Sequence, residues 1–531
     1  MASSADFNKF HPPTNTENRL DSLPDHLSAA TSGSFRGDAR TLHVLNRLGF
    51  GPRPGDIAIL QRMGIEKYIQ QQLNPKSIAM PGWITQGLAN SRTLNKGAYA
   101  LYQRNNPRNV RLQQLRKEER RGFKRKNGKL TKEQRQAQRK AQLKMVLNSR
   151  AKENRAEQKK IQEQVQLPIM EASNARLIRA INSPRQLEEV MVNFWFNHFN
   201  VSKRKGFVRT WAGIYDEQAI RPYVLGSFRD LLGSTAHHPA MLFYLDNFRS
   251  KANAINENYA RELLELHTLG VDGGYTLKDI QEVARVFTGW KFTPLKDGPR
   301  PQRSNSKYRD FFFDKSVHDF GTKTVLGQTI RGSGDQEGEQ VLDLLARHPS
   351  TAKYIGFKLA QYFVADEPPS SLVNSLAQRF QSSQGNITAV LSTLFSSSEF
   401  WDQRYFTQKF KTPYEYLVSV YRATGQSNID TRKFLGMLEQ LGMPLYGCET
   451  PDGYENVRSA WLSPEGMMRR LSLATSIANG NAQANQRIIN PNQLAQTLGF
   501  SFSGQTLSVL KNSPPNLQAS GILGSPEMMM R

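Results

Sequence analysis

The chain has 531 residues, 38% of them hydrophobic, and a formal net charge of +25. That length allows several domains or one large core with appendages, while no run of about 18 apolar residues offers a membrane span. The single cysteine, Cys448, excludes an intramolecular disulfide and a cysteine zinc site.

The charge is local. Residues 101–160 hold 21 Lys and Arg against 5 Asp and Glu, a net +16, which leaves only +9 for the other 471 residues. Residues 1–40 are rich in Ser, Asn and Pro and are expected to be disordered. They show no basic start followed by an apolar stretch and a small-residue cleavage site, so no export leader is expected and a cytoplasmic location is favoured. Residues 41–102 read as an N-terminal helical part. In it "TLHVLNRLGFGPRPGDIAILQRMGIEKYIQQQLNP" gives two short helices, with Asp56 starting the second.

Residues 103–165 form a basic helical insert, broken near Gly128 by "RKNGKL" into a two-helix hairpin. Its cluster Arg120, Arg121, Lys124, Arg125 and Lys126 is a candidate surface for nucleic acid or another anionic polymer. A solvated protrusion fits the same residues, since Phe123 is the lone aromatic available to stack a base.

Residues 166–480 form the main body, and helical patterning there is nearly continuous. The expected fold class is mainly α: a large multi-helix body, a small β-hairpin within Arg309–Ile330, and the protruding basic arm. Residues 481–531 read as a C-terminal segment ending in a loose tail.

The stretch "NENYARELLELHTLGVDGGYTLKDIQEVARVFTGW" is the densest in chemistry. On a helix advancing about 100° per residue, Glu257, Asn258, Arg261, Glu262 and Glu265 share one arc, opposite Tyr259, Leu263 and Leu264. Asn256 is a candidate N-cap, and Thr276 with Asp279 a capping box for the next helix. Two readings of the acidic arc are open. In one, Arg261 is bridged by Glu257 and Glu265 in a buried structural network. In the other, Glu262 and Glu265 are a general-base or metal-ligand pair in a hydrolase cleft with His198 and Asp246. His318 and Asp319, in "SVHDFGTK", are a candidate pair for a divalent metal.

The blocks "FWFNHFNVS", "HPAMLFYLDN", "NENYARELLELHTLG", "HDFGTKTVLGQTI", "ARHPSTAKYIGFKLAQYFV" and "GMPLYGCETPDGYENVRSAWLSPEGMMRR" occur in the order seen in a bacterial family. Together they resemble the domain-of-unknown-function family numbered 1800, from about Thr41 to Gly480, interrupted by the basic insert. The resemblance implies a large, mostly helical bacterial protein with no established activity. It implies export for many relatives, and a protein partner from the family numbered 1501, which resembles sulfatases and alkaline phosphatases. Relatives often carry a second histidine where this chain has Phe196. The first expectation for function is an accessory or binding protein with a buried Glu/Arg network. A metal-dependent hydrolase and a polyanion binder are the alternatives.

Overall fold

The computed structural model describes residues 39–107, 155–293, 308–480, 488–499 and 501–531, with scattered positions between 109 and 141. The expected disordered start, the hairpin of the insert and its cluster Arg120, Arg121, Lys124, Arg125 and Lys126 lie outside the described residues. What is described is mainly α, with two small antiparallel sheets. No described helix is long and apolar enough to cross a membrane.

Three helices, rather than two, open the described chain: Ala39–Arg47, Asp56–Met63 and Ile65–Leu73. Gly64 separates the last two after its amide closes the first on Leu60 O at 2.8 Å. Helix Arg155–Asn182 runs without a break across the expected edge of the insert, exposed at its start and buried at its end. Pro168 sits inside it, and a proline there leaves the carbonyl four residues earlier without its amide. Asn105 supplies the missing donor, its Nδ2 bonding Gln164 O at 2.7 Å. Helix Val208–Tyr215 crosses this rod so closely that a Cβ on Gly213 would lie 2.1 Å from Ala172 Cβ. Only glycine allows that approach.

The centre of the body is helix Gln186–His198, buried along most of its length. Trp195, Phe199 and Phe228 cluster on it. Ile65–Leu73 and Arg155–Asn182 pack against it, Pro349–Phe363 meets it through Tyr362 on Phe194, and Pro413–Ala423, with every residue buried, lies across a cleft. Two of the starts are sealed by capping boxes, Thr276 with Asp279 and Thr412 with Glu415.

The single expected hairpin is in fact two pairings. Lys323–Val325 pairs with Gln328–Ile330 within the expected range, while Phe311–Phe313 pairs backwards with Trp290–Phe292. A three-residue strand directly after a helix has no periodicity to read. The C-terminal segment is a second correction. Instead of a loose tail it forms helices Gly504–Asn512, Pro515–Leu523 and Pro526–Met529, with Leu523, Met528 and Met529 fully buried. Its apolar residues are spaced by Pro, Ser and Gly, so the helices are too short for a periodic signal, yet the core closes over them.

Candidate functional site

Helix Gln186–His198 turns Asn193, Asn197 and His198 toward a narrow cleft open to solvent. The facing wall is Lys358, Gln361 and Tyr362 of Pro349–Phe363, and the floor is Thr412 and Glu415 at the start of Pro413–Ala423. A second narrow hollow adjoins it, sharing Asn193, Asn197, Met443 and Tyr454.

The roof is the strap from Met443 to Asn456, and asparagines hold it down. Asn197 Nδ2 donates to Tyr454 O and Asn197 Oδ1 accepts from Tyr454 N, both at 2.8 Å. Asn200 Nδ2 donates to Thr450 O at 2.7 Å. Gly453, at φ 75°, lies where a Cβ would come within 2.3 Å of Asn197 O, so only glycine lets the strap lie this close. Tyr446 pins the other end through its hydroxyl, which donates to Asp216 at 2.7 Å.

Ion pairs lock the floor. Burial pushes the Glu415 carboxyl up, but Arg531 and hydrogen bonds from Thr412 and Tyr362 outweigh it and hold the group ionised below its usual range. Beneath the second hollow Arg176 bonds Asp216 at 2.8 Å and Asn193 at 3.0 Å, with both ions nearly solvent-free. Arg221 grips Glu189 through two bonds of 2.7 and 2.9 Å, and Arg179 pairs with Glu217. The buried Glu/Arg network is therefore present in this protein, built on these residues.

At the cleft itself three groups remain open to a visitor. Asn456 Nδ2 is buried and has no acceptor among the described residues, although Asn456 O accepts from Lys409 at 2.7 Å. Lys358 has its ammonium pKa lowered by burial, against the pull of Asp452 and Glu455. His198 Nε2 donates to His267 O at 3.1 Å, which leaves Nδ1 as the basic nitrogen. Burial first, then Lys358 and His267, push His198 well below its ordinary pKa, so the ring is neutral.

The acidic helix lies at the rim. Asn256 Oδ1 accepts from Asn258 N at 2.9 Å, and Asn258–Glu262 then widens into a π-helix over Leu263–Thr268. The even advance of an α-helix therefore holds only for its first turn. Tyr259, Leu263, Leu264 and His267 are buried, and the acids face outward. Arg261 meets Glu257 at 3.5 Å with side chains 44% and 37% exposed, so this pair is a surface contact, not a sealed network. Glu265 takes a hydrogen bond from Tyr275 instead. Glu262 has its carboxyl pKa raised by burial, then by Glu265 and Asp452, with Arg261 opposing. Asp452 belongs to the strap and lies within electrostatic reach of Glu262 and of Tyr354, whose hydroxyl pKa burial, Asp452 and Glu265 raise to about 12.

The other candidates lie apart. Asp246 is held by Lys205 at 2.6 Å and by Arg249 at 3.6 Å. Asp319 is clasped by Arg285 at 2.8 and 3.2 Å. His318 is sealed in the core, Nε2 on Glu337 at 2.9 Å, and Lys323 completes that triad. Among the described residues no three His, Cys, Asp or Glu side chains gather as metal ligands. The sequence reading passed over Asn193, Asn197 and Asn200, although "NFWFNHFN" sets them at intervals of four and three on one helical face. It also passed over Lys358 and Asn456, which no local pattern marks, and Glu415, which the Thr-x-x-Glu capping pattern at Thr412 does mark.

No curated protein and no solved structure matches the chain. A family model does, over residues 43–530, and its description is a protein of unknown function (DUF1800). With most of its length matched, including the strap, the cleft and the packed C-terminal helices, the chain belongs to the DUF1800 family.

Proposed function

We propose that the protein is a binding or accessory protein that takes a small polar ligand, bearing a hydrogen-bond acceptor, into the cleft under the strap. Phe194, Met443 and Tyr454 offer apolar surface, and Lys358, Asn456 and His198 offer two donors and an acceptor. The observation that carries the reading is Asn456 Nδ2, a buried amide donor at the cleft with no acceptor among the described residues. Such a group is costly unless a partner arrives.

The floor favours binding over chemistry. Glu415 has both oxygens engaged, and a carboxylate held ionised by Arg531 is a poor proton donor. A hydrolase using Glu262, Glu265, His198 and Asp246 gains from the raised Glu262 carboxyl. It loses from Asp246, which is committed to Lys205.

Calorimetric titration against a panel of amino acids, dipeptides and disaccharides tests the reading. At least one class binds, and Asn456→Leu weakens it about tenfold, the worth of one neutral hydrogen bond. A panel that fails to bind the wild type, or that binds both proteins equally, overturns the proposal.

A further inference from the structure

Behind the cleft floor the basic side chains of Arg47, Lys409, Lys411 and Arg531 are buried, with Arg470 beside Lys411, and fewer carboxylate side chains accompany them among the described residues. Residues 409–411 pair with 529–531: Arg531 N donates to Lys409 O at 2.8 Å, Lys411 N to Met529 O at 2.8 Å, and Phe410 faces Met530. Alternation along such a pair sends Lys409, Lys411 and Arg531 to one side. Arg47, the last residue of Ala39–Arg47, lies within electrostatic reach of Arg531, Glu415 and Asp366. Arg47 is 0% exposed, Lys409 1%, Lys411 2% and Arg531 3%.

Their anionic company is Glu415, on Arg531 at 3.1 Å, and Asp366, on Lys409. Among the described residues, Lys411 bonds the carbonyl of Met528 at 2.9 Å and Arg47 the carbonyl of Tyr405 at 2.6 Å, and neither has a carboxylate partner there. Arg47 Nε and Nη1 and Arg531 Nε are buried with no acceptor among the described residues. The neighbouring His43 cannot supply negative charge: burial and Arg47 hold its pKa down at about 2, and its ring stacks on Phe406 at 4.0 Å. A lysine can shed its proton in such a place, but an arginine keeps its charge and needs a counter-ion.

We propose that this centre binds one small inorganic anion, of the chloride class, through the free N–H groups of Arg47 and Arg531 with Lys411 beside them. A compact ion is favoured because the groups are sealed from solvent and a bulky one would have to displace the packed 409–411 and 529–531 backbones. The anion fastens the first described helix to the last residues of the chain. This inference goes beyond the ligand of the cleft and does not depend on it.

Thermal unfolding of the full chain in sodium chloride, against sodium gluconate at equal ionic strength, tests it. The Tm rises with chloride and then saturates, as expected for a ligand of the native state alone, and gluconate gives no such rise. Arg47→Met abolishes the chloride-specific rise. Should that variant fail to fold, Lys411→Met, similar in volume and uncharged, flattens the rise. Crystals soaked in bromide show anomalous density between Arg47 and Arg531. Equal Tm curves in the two salts, a chloride rise unchanged in Lys411→Met, or bromide absent from this centre overturns the proposal.

Discussion

Glu257 and Arg261 at the rim, and Glu189 and Arg221 in the core, are the same two residue types in opposite surroundings. The first pair is 3.5 Å apart with much of both side chains in water. The second is bidentate, with Glu189 only 1% exposed and Arg221 12%. Screening by water leaves an exposed pair worth about 0–1 kcal/mol. A buried pair contributes little net of its desolvation, yet breaking it strands an ion. The stretch that looked most charged in sequence is therefore the less consequential of the two for stability.

Mutations set the comparison out in order. Arg221→Met strands Glu189 and is expected to destabilise by about 3–5 kcal/mol in denaturant unfolding; a value near zero would equate core with surface. Gly453→Ala forces a positive φ and a clash with Asn197 O, with an expected cost of about 1–3 kcal/mol. Hydrogen exchange should localise that loss to the strap.

Glu339 is an intermediate case, half in water and bonded to His237 at 3.0 Å and Arg229 at 2.5 Å. Burial raises its carboxyl pKa, but His237 and Arg229 win and hold it at about 2, against an ordinary 4.5. Because the folded pKa is the lower one, this stabilisation is fully present above 4.5 and is lost as pH falls toward 2. Acid titration of unfolding should show Glu339→Gln with a flatter profile in that window. Smallest of all, Arg261→Met is expected to shift stability by about 1 kcal/mol or less; a larger loss would show that the rim carries more of the fold than its exposure suggests.

Much of the fold was readable because it is local. The capping box at Thr276 and Asp279 and the apolar side of the 259–267 stretch follow from spacing alone. The strand Trp290–Phe292 did not, since its partner lies some twenty residues ahead. The candidate site is the least local part. Asn456 meets Asn193 and Glu415 only through tertiary packing, and Arg531 reaches Glu415 from the far end of the described chain. The exposure of Glu257 and Arg261 was also beyond sequence, because a polar arc looks the same facing water or facing another helix.

The mend at Pro168 has a mechanical consequence. Arg155 and Arg176 lie about 30 Å apart along one unbroken helix, in which Asn105 bonds the carbonyl that proline orphaned. A pull near Arg155 is thus transmitted to the Arg176–Asn193 contact beside the cleft. Asn105→Leu would leave Gln164 O without its donor inside the helix, at an expected cost of about 1–3 kcal/mol.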